Sequence, residues 1–195
     1  SHIEQLMNRL RRLESGDVLV LAGSIPAGIS DNIYKDIMDM LKDKGVQIVV
    51  DATSRLLTNV LEYNPFFIKP NQHELGDIFN VTLNTQEEVI PYALELKKMG
   101  AVNVCVSMGG KGAILVADDG NVYKAKAPDG ILKNSVGAGD SLVAGFLSGW
   151  IEKKDYEYAF RKGVATGSAS AFSENLATKR EISEVLKRVE VTCKR

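Results

Sequence analysis

Short apolar runs alternate with amphipathic segments along most of this chain, and that alternation limits the folds it can adopt. The runs "DVLVLAG" and "VQIVVD" indicate strands, and "FFIKPN" indicates the end of another. Helical patterns follow them, such as the one that Ser30 can cap and that continues to about Lys42. Strands alternating with helices of about a dozen residues predict an α/β fold, in which helices cover both faces of a mostly parallel sheet.

The second half of the chain adds a run of strands and then helices. Thr85 and Glu88 form a capping-box pattern that opens a helix ending near Met99. Three strands, "VNVCVSMGG", "GAILVADD" and "VYKAKAP", follow with turn-forming junctions between them. After "VGAGD", helical patterns predict helices at about 139–152, 155–173 and 179–190. Right-handed crossovers bring the loops after parallel strands to one edge of the sheet, where open α/β folds bind ligands.

The composition fits one domain over residues 1–195. The chain has 195 residues, of which 45% are hydrophobic and 25% charged, enough for a sizeable core. A formal net charge of -1 gives no indication of a nucleic-acid or anionic membrane partner. Two cysteines predict no disulfide framework, and therefore a reducing, cytoplasmic location. No apolar run is long enough to span a bilayer.

The segment "NSVGAGDSLVAGF" places two glycines and an aspartate at the start of a helix. The first N–H groups of a helix lack partners and carry partial positive charge, so Gly137, Ala138 and Gly139 could receive an oxyanion. Asp140 could then accept a proton from an attacking hydroxyl. The alternative is that Asp140 only caps the helix and the glycines only turn the chain. The patterns of a Walker A loop and of a dinucleotide-binding loop are both absent.

The segment "KPNQHEL" puts three polar side chains at the end of a strand and on the helix that follows. Asn71 and Glu74 would share one face of the first turn, where they could order water around Mg²⁺. Lys69 could offset the charge of a phosphate. The alternative is that Asn71 caps the helix while the two charged residues are solvated.

Two other glycine-containing loops follow predicted strands. In "SMGGKG", Ser107, Gly109 and Gly112 form a hairpin turn or allow a nucleotide to approach the backbone closely. In "AGSIPAG", Ser24 could meet a substrate hydroxyl or phosphate, or lie in an ordinary strand-to-helix loop. Taken alone, the first loop favours the hairpin turn, and the second leaves both alternatives open.

Small residues recur between Ala159 and Ala171. They predict a helix that packs closely against a neighbour. A nucleotide base could lie near the end of this helix, around Ser173 and Asn175.

Taken together, these segments resemble the PfkB group of the ribokinase-like sugar kinases. "AGSIPAG", "KPNQHEL", "VSMGGKGA", "NSVGAGDSLVAGFLSG" and "AFSENLATKREI" occur in the family's order, and the resemblance covers Asp17 to Glu184. It implies a ribokinase-like, Rossmann-like three-layer α/β/α sandwich. It also implies transfer of the γ-phosphoryl group of ATP to a sugar phosphate, with fructose 1-phosphate as the expected acceptor and tagatose 6-phosphate or another phosphosugar as the alternative.

The resemblance also implies roles for individual residues. Asp140 would be the general base and would contact the substrate, as would Ser24, and Gly137, Ala138 and Gly139 would form the anion hole. Asn71 and Glu74 would lie near Mg²⁺, through water. The positions that match the nucleotide side of the family's site are Lys69, Asn71, Ser107, Gly109, Gly112 and Asn175. Some relatives also bind a monovalent cation such as K⁺ beside the anion hole through backbone oxygens.

The family's pattern starts before residue 1 of this sequence. We therefore expect the first strands, several sugar-contacting residues and the substrate lid to lie outside the chain, which would be the C-terminal, nucleotide-binding portion of a kinase. Such a portion is expected to expose a sheet edge, through which it could form a homodimer or self-associate. An alternative of another class is a module that binds nucleotide without catalysis.

Overall fold

Seven strands form one sheet in the computed structural model, which describes residues 2–194 apart from the side chain of Ser54. The strands are β1 (Val18–Ala22), β2 (Gln47–Asp51), β3 (Phe67–Ile68), β4 (Val104–Ser107), β5 (Ala113–Val116), β6 (Val122–Ala125) and β7 (Val191–Lys194). They lie side by side in chain order. The pairings from β1 to β4 are parallel, and those from β4 to β7 are antiparallel. The parallel part therefore ends in the hairpins that the turn-forming junctions predict.

Helices cover the two faces of this sheet. They are α1 (His2–Leu10), α2 (Ile33–Leu41), α3 (Ser54–Thr58), α4 (Gln72–Phe79), α5 (Gln86–Lys98), α6 (Ala138–Lys153), α7 (Tyr156–Ala171) and α8 (Lys179–Leu186). Short 3₁₀ turns occupy Leu61–Tyr63 and Gly109–Lys111. Within the described residues, none of the helices combines the length and the apolar character needed to traverse a bilayer.

Strand side chains alternate between two hydrophobic cores. Val50, Ile68 and Val104 join the core that packs under α1 to α5. Val49 and Phe67 join the core beneath α6 to α8, where the Phe67 ring stacks on Phe146 with centroids 4.1 Å apart. The predicted three-layer α/β/α sandwich is confirmed, because successive strand residues point to opposite faces.

Close packing of α6 against α7 depends on glycines. A β-carbon added at Gly145 would overlap the Thr166 hydroxyl, and one at Gly167 would lie 2.9 Å from the Ala138 carbonyl oxygen. The prediction that the small-residue helix packs closely against a neighbour is confirmed. The contact holds the first turn of α6 in place.

The structure differs from the sequence-based expectations at three elements. Helix α2 begins at Ile33, and Ser30 lies outside it, accepting a hydrogen bond from the Asn32 N–H at 3.2 Å. Strand β1, whose apolar run by itself predicts a buried strand, lies at the edge of the sheet, so that Val20 is 43% exposed. Strand β7 was not predicted, although "VEVTCK" alternates apolar and polar residues; the segment is short and largely exposed.

Candidate active site

The first turn of α6 lies at the carboxyl edge of the parallel strands. Gly137 precedes it in the left-handed conformation, with φ of 76°, which a residue without a side chain adopts without strain. The Ala138 N–H donates to the Ser135 carbonyl at 3.2 Å. The N–H groups of Gly139 and Asp140 donate to no backbone carbonyl of residues 2–194. This turn therefore offers donors to an incoming anion.

Lys69 brings a buried positive charge to the same turn. It follows β3, its side chain is 7% exposed, and its Nζ lies 3.2 Å from Asp51 Oδ1. A β-carbon added at Gly139 would lie 3.2 Å from that Nζ, so the ammonium sits directly against the start of α6. The ammonium group and the positive end of the helix together stabilise an anion that binds next to both of them.

Asp51 is a residue of this site that the sequence analysis did not identify. It ends β2, its side chain is 15% exposed, and burial raises its pKa above the usual range. Lys69 opposes that rise, whereas the charges of Asp140 and Glu74 add to it. The signal available in the sequence was a charged residue that closes the otherwise apolar strand "VQIVVD".

Asp140 is exposed on the first turn of α6. Its carboxylate forms no hydrogen bond or ion pair with the other described residues, so the capping alternative finds no support in the hydrogen-bonding pattern. It lines a depression of about 450 Å³ together with Gly137, Asn175 and Leu176, which we call the Asp140 cleft. The carboxylate is thus open to a ligand.

A second cleft lies on the other side of the α6 N-terminus. This Ser107 cleft, of about 520 Å³, is lined by Ser107, Gly109, Gly112 and Gly139 among others. A β-carbon at Gly112 would overlap the Ala125 carbonyl oxygen, which explains the glycine by close packing on β6. The structure therefore brings the predicted nucleotide-side glycines to the anion-binding turn.

Asn175 and Ser24 lie apart from the Ser107 cleft. Asn175 borders the Asp140 cleft instead, although the resemblance assigned it to the nucleotide side. Ser24 is exposed in the loop after β1 and lines neither cleft. The Gly23 N–H ties that loop to β2 through a hydrogen bond of 3.1 Å to the Asp51 carbonyl.

Asn71 and Glu74 form a complete capping box at the start of α4. Asn71 Oδ1 accepts from the N–H groups of His73 and Glu74, both at 2.9 Å, and the Asn71 N–H donates to Glu74 Oε2 at 2.8 Å. The capping alternative for Asn71 is therefore confirmed. Asn71 also forms a parallel bridge with Ser107, so the box borders the Ser107 cleft.

A metal ion would find few direct ligands here. Across residues 2–194, no group of three or more histidine, cysteine, aspartate or glutamate side chains is arranged to hold one. The donor set beside the cleft fits a hydrated Mg²⁺, which keeps several waters and needs few protein ligands. Asn71 and Glu74 would then contact it through water.

Comparison with known proteins identifies the family to which this chain belongs. Residues 2–182 match the model of the pfkB family carbohydrate kinases. A 1-phosphofructokinase from Bacillus subtilis is 44% identical over 186 residues, and a D-tagatose-1-phosphate kinase from Klebsiella oxytoca is 30% identical over 188 residues. The chain belongs to the pfkB family of carbohydrate kinases, which confirms the resemblance found in the sequence.

A solved structure extends the comparison to the fold. Phosphofructokinase-2 from Escherichia coli, in complex with substrates and products, matches with a TM-score of 0.88 and 30% identity, over 94% of this chain and 61% of that one. The alignment with the Bacillus subtilis relative covers 95% of this chain and 61% of the relative. The corresponding shares for the Klebsiella oxytoca relative are 96% and 62%. The chain thus spans about three fifths of these relatives.

Proposed function

We propose that this chain provides the nucleotide-binding and phosphoryl-transfer site of an ATP-dependent sugar-phosphate kinase. One observation carries the proposal: the buried Lys69 ammonium lies against Gly139 at the N-terminus of α6, and Asp140 is exposed on the same turn. Phosphoryl transfer needs positioning and charge neutralisation more than covalent chemistry from the protein. This turn supplies both.

The anion-binding side consists of Lys69 and the first turn of α6. The unpaired N–H groups of Gly139 and Asp140 and the Lys69 ammonium would stabilise the charge on the transferring group. The phosphates of ATP would lie along the Ser107 cleft, where the backbone of Gly109 is open to a ligand. In this arrangement the α6 N-terminus separates the nucleotide from the acceptor.

Asp140 would act as the general base. Its exposed carboxylate faces the Asp140 cleft, where an acceptor hydroxyl would bind next to the anion-binding turn. The carboxylate would accept the proton of that hydroxyl as the oxygen attacks the γ-phosphorus. Ser24 is proposed to contact the acceptor.

Asn71 and Glu74 would hold a hydrated Mg²⁺ beside the Ser107 cleft. When bound, Mg²⁺ offsets the negative charge of the nucleotide phosphates. The capping box fixes both residues at the start of α4, and Asn71 is bridged to Ser107, which lines the cleft; this proximity supports contact through water. A K⁺ site beside the anion hole, formed by backbone oxygens, stays a prediction.

Fructose 1-phosphate is the acceptor that we favour. The support is the 44% identity to a 1-phosphofructokinase against 30% to a D-tagatose-1-phosphate kinase. The product would be fructose 1,6-bisphosphate. A tagatose phosphate, including tagatose 6-phosphate, is the alternative acceptor.

A second candidate function is nucleotide binding without transfer. The observation that favours it is the extent of the chain, which spans 61% of the Bacillus subtilis relative. The part of that relative that this chain does not match could hold groups that contact the sugar or exclude water. In that case this chain alone binds ATP but turns over slowly or not at all.

A phosphosugar panel with MgATP separates these functions. It is run on this chain and on a chimera that joins it to the part of the Bacillus subtilis relative that it does not match. Fructose 1,6-bisphosphate from fructose 1-phosphate is the expected product of the chimera. Preference for a tagatose phosphate would favour the alternative acceptor. Binding of MgATP with no product from this chain alone would favour the second candidate for this chain, whether or not the chimera forms product.

A further inference from the structure

We propose that Asp51 is a positioning residue that holds the Lys69 ammonium against the N-terminus of α6. This inference rests on the proposed function and goes beyond it, because it assigns a role to an acid outside the five segments quoted for the resemblance. The pair is buried, with a distance of 3.2 Å between Lys69 Nζ and Asp51 Oδ1. The ammonium is the group that would meet the phosphates.

The sheet fixes the relative position of the two residues. Asp51 ends β2 and Lys69 follows β3, and these strands pair in parallel with Val50 opposite Ile68. The next residues along, Asp51 and Lys69, are therefore neighbours on one face of the sheet. Strand alternation puts them on the face of Val49 and Phe67, which is the face covered by α6.

The backbone around Asp51 is anchored as well. Its carbonyl accepts a hydrogen bond from the Gly23 N–H at 3.1 Å, and the Lys69 N–H donates to the Val50 carbonyl at 3.3 Å. A carboxylate on so constrained a backbone has little freedom to move. It can therefore define where the long, flexible lysine side chain ends.

The burial of Lys69 explains why it needs such a partner. A buried ammonium is costly to leave without a counter-ion, and the long lysine side chain, here 7% exposed, would otherwise swing towards water. Asp51 gives the ammonium a fixed partner before a phosphate arrives. The carboxylate also competes with the phosphate for the same ammonium, which opposes the gain from positioning but is expected to be the smaller effect.

The test compares two ligands on this chain. MgATP carries the phosphates that Lys69 would contact, whereas adenosine lacks them. We expect Asp51→Ala to weaken MgATP binding by about tenfold or more, the effect of losing a charge-assisted contact, and to change adenosine binding by less than about twofold. Asp51→Asn keeps an oxygen that can accept from the ammonium and is expected to weaken MgATP binding less.

Two further variants make the result specific. In a Lys69→Met background, Asp51→Ala is expected to cause no additional loss of MgATP affinity, because the carboxylate acts through the lysine. Asp118→Ala removes another ion pair, that of Asp118 with Lys97 at 3.3 Å. Asp118 lies in the loop after β5, which is antiparallel to β4, so this loop is at the amino ends of the parallel strands, away from the start of α6. This variant is the matched control and is expected to leave MgATP binding unchanged.

Three outcomes would overturn the inference. MgATP binding to the Asp51→Ala variant that is as tight as to the unsubstituted chain, or tighter, would mean that the carboxylate only competes with phosphate. Equal losses for MgATP and adenosine would mean that Asp51 supports the fold in general. If the unsubstituted chain bound no MgATP, the proposed function would fail and the role of Asp51 with it. In the first two outcomes the proposed function survives.

Discussion

Four charged residues meet around the first turn of α6, and each comes from the end of a different element. Asp51 closes β2, Lys69 follows β3, Glu74 lies in the first turn of α4 and Asp140 in that of α6. Lys69 is buried whereas Asp140 is exposed. This difference in exposure fits the two proposed roles: the buried cation would bind an anion, and the exposed carboxylate would accept a proton.

Replacement of Asp140 tests the proton-transfer role. We expect Asp140→Asn to lower kcat by about 100-fold or more, a typical contribution of a general base, because the amide cannot accept the proton. Steady-state kinetics are measured on the form of the protein that shows phosphoryl transfer. The MgATP affinity of this chain, measured in parallel, is expected to hold, since the carboxylate is not one of the phosphate ligands. Turnover near the original rate would remove Asp140 from this role.

The sequence identified individual site residues better than the relations between them. The glycines and Asp140 could be predicted because helix starts and turns have local patterns. The ion pair of Asp51 with Lys69 could not, because it joins the ends of two strands and depends on their register. The location of Asn175 beside Asp140 depends likewise on how the loop after α7 packs.

At the scale of elements, the position of the anion-binding turn depends on the contact between α6 and α7. Gly145 and Gly149 on α6 face α7, and Gly163 and Gly167 on α7 face α6. Because these residues lack side chains, the two helices approach closely along much of their length. The turn at Gly137 and Gly139 is thereby supported by a packed helix pair rather than by a loop.

Overpacking this contact is expected to destabilise the protein. A β-carbon at Gly145 would overlap the Thr166 hydroxyl and lie 2.8 Å from the Lys162 carbonyl oxygen. We expect Gly145→Val to lower the free energy of unfolding by about 3 kcal/mol, measured by urea denaturation.

The matched control places the same residue on the exposed face of α6. Ser148 is exposed, so Ser148→Val introduces the same β-branched side chain without a steric conflict. Its effect is expected to stay within about 0.5 kcal/mol. Equal losses of stability from the two variants would mean that helix propensity, and not the contact with α7, limits position 145.

The start of α5 could be predicted from its capping residues, whereas strand β7 was missed. Thr85 caps α5 as predicted, accepting from the Glu88 N–H at 3.2 Å. The Glu88 carboxylate instead accepts from the Asn84 N–H at 2.7 Å, so the reciprocal half of the predicted box is displaced by one residue. Strand β7 is held by antiparallel pairing with β6, and the alternation of apolar and polar residues in "VEVTCK" was the signal that the sequence offered for it.

At the scale of the whole molecule, the two helical layers cover the sheet unequally. Residues of β2 to β6 are buried in the core beneath α6 to α8, whereas β1 contributes only the half-buried Val18 to it. Val20 projects on the same face of β1 and is 43% exposed. The chain therefore presents an edge strand with an uncovered apolar face, which the sequence-based expectation of an exposed sheet edge anticipated.

An edge of this kind favours pairing with a second copy of the chain, because it offers unpaired backbone groups beside apolar surface. We expect concentration-dependent self-association in sedimentation velocity. Val20→Lys is expected to raise the dissociation constant by about tenfold or more, because a charged side chain opposes edge-to-edge pairing. Thr192→Lys adds the same charge at the other edge, on the exposed β7, and is expected to change nothing. A chain that stays monomeric at all concentrations, or that responds only to Thr192→Lys, would contradict association through β1.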